Sequence, residues 1–248
     1  MKKIIGYVLL GLLAFGAFLV VTFPAQRAVS MLQAEVPQLR VAGVSGTAWE
    51  GRISTLQVMG QNFQRLKWSF NPFSVFKGSV AFDISFNGDG RSAEATLGLR
   101  SDGAVVFNDL RAKLPVADID QHLGLDGVEL SGLVELQLQE LVVMGNTLLS
   151  AEGDVFWRQA GVDAPVAQVL GDYSAVLTTD DGGVKARVKD DGGPLELEGL
   201  ALLNDGGYSL NVTASVRDTE EKMLQQGLNM MGTRQADGRY ALQFSGKL

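Results

Sequence analysis

Apolar and polar residues alternate at period two along much of this chain, the mark of strands with one buried face. Val80, Phe82, Ile84 and Phe86 point one way, with Ser79, Asp83 and Ser85 opposite. Ala93, Ala95, Leu97 and Leu99 alternate with Ser92, Glu94 and Thr96, and Val134, Leu136 and Leu138 with Glu135, Gln137 and Gln139. Val184, Ala186 and Val188 stand against Lys185, Arg187 and Lys189, Leu210 to Val216 repeat the scheme, and Tyr240, Leu242 and Phe244 close the chain with it. A sheet wetted on one side is antiparallel by preference. The turns agree: Asp-Gly recurs at Asp89, Asp102, Asp126, Asp181, Asp191, Asp205 and Asp237, and this dipeptide supplies the positive φ angles of tight hairpins.

Two helices interrupt the alternation. Pro115 to Leu123 opens on proline and places Val116, Ile119 and Leu123 on one face. Thr219 to Met231 begins with Thr and two Glu, carries Met223, Leu224, Leu228 and Met231 as a stripe, and stops at Gly232. Each is short enough to cap an open end of a sheet. The fold class expected is therefore all-β and mainly antiparallel, a curved sheet, a sandwich or an open β-groove, with two short helices. A strand-rich half ending near each helix is a weak hint of duplication.

The first residues follow another pattern. Ile4 to Phe23 are 20 residues without a charge, and a helix of that length, at about 1.5 Å per residue, matches the roughly 30 Å hydrocarbon core of a bilayer. Lys2 and Lys3 precede it and only Arg27 follows closely, so the positive-inside bias leaves the N-terminus in the cytoplasm. A cleaved signal peptide is the rival reading; its apolar region is usually shorter, and the nearest small-x-small site, Ala14-Phe15-Gly16, leaves an apolar run behind it. Gly6, Gly11 and Gly16 do not have the spacing of a Gly-x-x-x-Gly helix contact. The division expected is 1–3 cytoplasmic, 4–23 transmembrane anchor, 24–37 juxtamembrane linker able to continue as a short helix, and 38–248 β-rich domain beyond the membrane.

Charge and composition narrow the chemistry. The chain has 248 residues and a net charge of −7; without Lys2 and Lys3 the remaining 19 basic against 28 acidic side chains give −9. Such a surface repels phosphate backbones, so nucleic acid is not an expected partner. With no cysteine there are no disulfides, thiolate metal sites or cysteine nucleophiles. The single histidine, His122, stands beside Asp118 and Asp120, where a helix-surface ion pair is a plainer reading than a metal site. The Asp/Gly runs 180–183 and 190–193 and the Asn204–Gly207 run invite a calcium reading, yet they lack the EF-hand spacing and fall where hairpin turns are expected. No Gly-x-Ser-x-Gly elbow exists for a hydrolase, no phosphate-cradling glycine loop is present, and nothing singles out a glycosidase carboxylate pair. No catalytic residue, metal ligand or cofactor is assigned.

The most distinctive stretch is Val44-Ser45-Gly46-Thr47-Ala48-Trp49-Glu50-Gly51-Arg52, followed by Leu66-Lys67-Trp68-Ser69-Phe70-Asn71-Pro72 and Gly78. Toward the end come Gly207-Tyr208, Leu224 to Gly232, Asp237-Gly238-Arg239-Tyr240 and Gly246-Lys247-Leu248. In this order, and together with the N-terminal anchor, these residues resemble the type II secretion system protein N (GspN) family. Asn229 to Thr233 depart from the leucine-rich approach expected before the final Gly. The resemblance implies a non-enzymatic accessory component of the inner membrane, with a periplasmic C-terminal domain, in the machine that exports folded proteins across the Gram-negative outer membrane. It implies other secretion subunits, and exported proteins, as partners, and no cofactor.

Gly46 and Gly51 are expected to serve the turn's backbone, and Trp49 and Trp68 to pack the sheet more than to touch a partner. Two functions of different class follow. One is a scaffold that binds other components by strand addition at an unpaired sheet edge. The other is a periplasmic lipid-binding or transfer module, in which small inward residues such as Ala93, Ala95, Ala186 and Ala214 leave room for acyl chains.

Overall fold

The computed structural model describes residues 2–35, 39–58, 61–77, 79–119, 127–145, 147–164, 166–204, 207–218 and 221–246. Side chains at 2–6, 8, 9, 35, 58, 61, 76 and 77 are outside that description as well. The chain divides into two units, Met1–Asp89 and Gly90–Leu248.

The first unit begins with helix α1 (Lys2–Val21) and helix α2 (Ala25–Glu35). Pro24 separates them, as expected of a residue that disfavours helix at the position before it. Among the described residues no helix is long and apolar enough to cross a membrane. Helix α2 packs against strand β1 (Arg40–Gly46) and buries Ala25 and Val29, one helical turn apart. The Gln33 amide then donates to the Leu39 carbonyl at 3.1 Å. The segment expected as a linker thus lies along the first strand. Strands β2 (Glu50–Val58), β3 (Gln61–Asn71) and β4 (Val80–Gly88) follow, each antiparallel to its predecessor, with a 3-10 helix at Pro72–Lys77 between the last two. The pairings Val44↔Ile53, Ile53↔Leu66, Trp68↔Ile84 and Phe70↔Phe82 gather the apolar residues on one face.

The second unit is a run of antiparallel strands: β5 (Arg91–Leu99), β6 (Val105–Pro115), β7 (Glu129–Met144), β8 (Thr147–Ala164), β9 (Gln168–Asp180), β10 (Gly183–Gly192), β11 (Leu195–Asn204) and β12 (Gly207–Val216). Helix α3 (Lys222–Met231), the two-residue strand β13 (Thr233–Arg234) and β14 (Tyr240–Gly246) complete it, in the spatial order β12-β14-β13. Cross-strand pairs carry one apolar face across the unit, as in Leu97↔Phe107↔Leu141, Leu177↔Ala186↔Ala201 and Ala201↔Leu210↔Phe244. Leu97, Phe107, Leu141, Leu177 and Leu210 are only half-buried there. Where α3 lies on the face, Val212, Ala214, Leu228, Tyr240 and Leu242 form a covered core.

The all-β, mainly antiparallel class stands. Within each unit the described strands pair in a single layer, in chain order but for the final exchange, so the sandwich left open by the sequence is corrected to one open sheet layer. Both expected helices shift. Pro115 ends β6, where it still pairs with Leu133, and the helical turn starts at Ala117, with residues 120–126 outside the described set. The last helix begins at Lys222, and 219–220 lie outside. Asp191-Gly192 is no hairpin turn either: it belongs to β10, where the register shifts between Asp190 and Gly192. Asp89-Gly90 does make the expected turn, with φ of 53° and 76°.

Candidate functional site

The Gly46–Gly51 stretch forms the turn between β1 and β2, and it receives the end of α1. Gly46 has φ +98°, and a Cβ there would lie 2.4 Å from the Glu50 carbonyl oxygen, so the turn demands glycine. Thr47 closes it. Its N–H donates to the Glu50 carbonyl at 2.7 Å, and its hydroxyl oxygen accepts from the Trp49 and Glu50 N–H groups at 3.3 and 3.1 Å.

Held this way, Trp49 projects its indole N–H to the Val20 carbonyl at 2.7 Å. That carbonyl is one of the last four of α1, and it also accepts from the Phe23 N–H at 3.2 Å. The Ala48 N–H donates to Phe23 at 2.8 Å, and Pro24 bridges Thr47. Three contacts therefore tie the helix end to the first hairpin. Behind them, the Trp68 indole donates to the Ala48 carbonyl at 3.0 Å, and Trp49, Phe70 and Phe82 stack edge-on with centroids 5.3 and 5.6 Å apart. Gly51 lies under the Trp68 ring, which a Cβ would meet at 2.2 Å. Pro72 opens the 3-10 helix, and Gly78 lies outside the described residues.

The C-terminal motif residues gather separately, in the second unit. Gly207 and Tyr208 open β12, and Tyr208 pairs with Gly246 of β14. Gly232 ends α3, its N–H donating to the Leu228 carbonyl at 2.9 Å. The Asp237 carboxylate holds the backbone and side chain of Arg239 across the tight turn at Gly238, and that charged side-chain bond keeps Asp237 below the usual carboxylate range.

The groups considered for metal chemistry are engaged otherwise. Asp118 meets the Nε and one Nη of the Arg91 guanidinium in a bidentate pair, while Asp120 and His122 lie outside the described residues. Asp180 bonds Lys185, which holds its carboxyl low, and also takes the Gly182 N–H. Asp190 bonds Arg217, and Asp191 meets Arg158 and the Ser174 hydroxyl. In the Asn204–Gly207 run, 205–206 are outside the described residues. Among the described residues no group of three or more His, Cys, Asp or Glu could hold a metal.

Sequence reasoning missed Tyr173, whose hydroxyl lies 3.1 Å from both the Leu170 and Leu195 carbonyls, beneath Trp157. Burial first, and the Asp190 carboxylate second, push its phenol above the ordinary value. The unfolded tyrosine ionises near pH 10 and the folded one does not, so this contribution to stability is complete below about pH 10 and is lost as pH rises beyond it. Thermal melts between about pH 9 and 11 are expected to fall less steeply for Tyr173→Phe than for the parent chain.

Comparison with known proteins gives the site its context. A family model described as "Type II secretion system (T2SS), protein N" matches residues 37–243. A type II secretion system protein N from Aeromonas hydrophila is 24% identical over 255 aligned residues, covering all of both chains. The protein of that name from Vibrio cholerae is 25% identical over 265, again over both full lengths, and that of Klebsiella pneumoniae 27% over 216, covering 84% of this chain and 83% of its own. No solved structure matches. With a family model spanning most of its length and relatives aligned from end to end, the chain belongs to the type II secretion system protein N family.

Proposed function

We propose that this component of the type II secretion system is a non-catalytic scaffold of the inner membrane, held by α1 with its N-terminus in the cytoplasm and the strands of both units on the periplasmic side. The observation that carries the anchor is the exposure of α1: Leu10, Leu12, Leu13, Phe15, Phe18, Leu19, Val20 and Val21 are 52–65% exposed and lie all round the helix. Water does not stabilise such a surface, and lipid does. Ile4 to Leu9 continue the same helix with apolar residues, which brings the uncharged run to a length that spans a bilayer.

The scaffold reading rests on the sheet's ends. Strand β1 is accompanied by α2, whereas β14 pairs with β12 on one side and meets β13 only at Tyr240 and Ala241. Among the described residues, Leu242–Gly246 has no strand on its outer side, which leaves backbone donors and acceptors for an incoming strand. A photo-crosslinking amino acid at Gln243 in intact cells is expected to capture another secretion subunit or an exported protein. Failure to capture either, with the protein present and inserted, defeats this reading.

A second reading is favoured by the half-buried apolar face of the second unit, which α3 covers at one end only. Occupied by acyl chains, that face makes the protein a lipid-binding module. The same crosslinker at Phe107, in the middle of the face, separates the readings: labelled phospholipid supports the second, and its reproducible absence removes it.

A further inference from the structure

The 3-10 helix between β3 and β4 inverts the usual order of burial. Phe73 is 74% exposed and Val75 56% exposed, while Ser74 between them is 7% exposed. The inversion is built into the loop. The Ser74 hydroxyl donates to the Asn71 carbonyl at 2.6 Å and accepts from the Ala81 N–H at 3.1 Å. Its carbonyl accepts from the Ser79 N–H and hydroxyl, both at 3.2 Å. The Asn71 side chain takes the Phe73 N–H at 3.1 Å. A buried serine with its hydroxyl and its carbonyl both engaged fixes the turn, and the turn holds two large apolar side chains outward.

The place of this loop gives its partner. The Phe70 N–H donates to the Trp49 carbonyl at 2.6 Å, and the Trp49 indole holds the Val20 carbonyl at the end of α1. Phe73 is three residues beyond Phe70, a reach of at most about 11 Å. The loop therefore projects from the end of the sheet where α1 stops. The interfacial layer of a bilayer into which amphipathic segments sink is about 5–10 Å deep, so that reach is on the scale of the layer.

We infer that Phe73 and Val75 dip into the outer interface of the membrane that α1 spans, and that the first unit stands on the bilayer at two points, the helix and this loop. This deepens the anchor reading and rests on it. The occupant is lipid because the helix tied to the same strand end already exposes an apolar surface that needs lipid.

The absence of cysteine permits a direct test on the full chain. Single cysteines at Val75, at Leu12 in α1 and at Asn62 in the hairpin at the far end of β2 and β3 are labelled with an environment-sensitive fluorophore, in vesicles of phosphatidylethanolamine and phosphatidylglycerol. Spin-labelled lipid is expected to quench the probe at 75 several-fold more than the probe at 62, with blue-shifted emission that Phe73→Asp abolishes while circular dichroism stays unchanged. A probe at 75 as wet as that at 62, with the probe at 12 deeply quenched, overturns the inference and leaves the anchor standing. A wet probe at 12 defeats the anchor itself. A probe at 75 that is wet in vesicles but becomes protected in cells carrying the other secretion subunits assigns the loop to a protein and equally overturns the inference.

Discussion

Gly51→Ala is expected to destabilise the first unit by about 1–3 kcal/mol, the range for forcing an added methyl into a packed site. The added Cβ would sit 2.2 Å from Trp68 Cζ2 and 2.6 Å from Cη2, well inside van der Waals contact. Trp68 cannot turn away freely, because its indole is bonded to the Ala48 carbonyl and its strand position opposite Gly51 is fixed by β2 and β3. Displacing the ring pulls on the turn that carries Trp49 and, through it, on the end of α1. The check is a double-mutant cycle followed by thermal or denaturant unfolding. Trp68→Leu removes the clash, so Gly51→Ala is expected to cost markedly less in that background. Additive losses would show that the ring does not impose glycine at position 51.

Leu228→Ala is expected to cost about 2–5 kcal/mol in the second unit, through lost burial and the cavity left behind. Leu228 is 6% exposed and packs in the cluster of Val212, Ala214, Tyr240 and Leu242, the place where a helix covers the apolar face. Helix α3 is ten residues long, too short to be stable alone in water. Its attachment rests on Leu224 and Leu228, the two residues that it buries, and on the Tyr240 hydroxyl donating to Asn229 at 2.9 Å. Amide hydrogen exchange should therefore rise first in α3, β12 and β14, with β7 and β8 little changed. Met230→Ala, at an 88% exposed position of the same helix, is the matched control and should be close to neutral. Equal effects of the two substitutions would refute the assignment of α3 as the cover of this core.

The strands that the sequence made legible are those whose alternation is unbroken: β4, β5, β10, β12 and β14 can be read directly from their residues. Longer strands hide themselves. In β8, 18 residues long, Gly153 and Gln159 have φ of 138° and 51°, and the pairing slips between Trp157 and Ala160 and again at Gly161. Asp109, at φ 51°, lies in β6 where the pairing with β5 slips between Glu94 and Thr96. Each irregularity disturbs the match between sequence position and face, so a fixed period of two cannot follow the strand through it. Among the described residues the Asp-Gly pairs are a good but imperfect guide for a related reason: Asp191-Gly192 occupies a bulge, where glycine is as useful as in a turn.

What the chain determines locally is the choice of strands over helices, the uncharged run that becomes α1 and the glycine-tryptophan stretch between β1 and β2. These are properties of neighbouring residues, and periodicity and turn chemistry act over a few positions at a time. The tertiary structure alone decided that the motif is a fastening. The indole of Trp49 meets a carbonyl 29 residues away and that of Trp68 one 20 residues away, on segments with no common local pattern. It also decided that within each unit the described strands lie in one layer, because a single-faced strand is compatible with a sandwich or an open sheet until its neighbours take their places. Burying a face requires a second surface, and only the folded chain shows that α3 supplies one over β12 and β14.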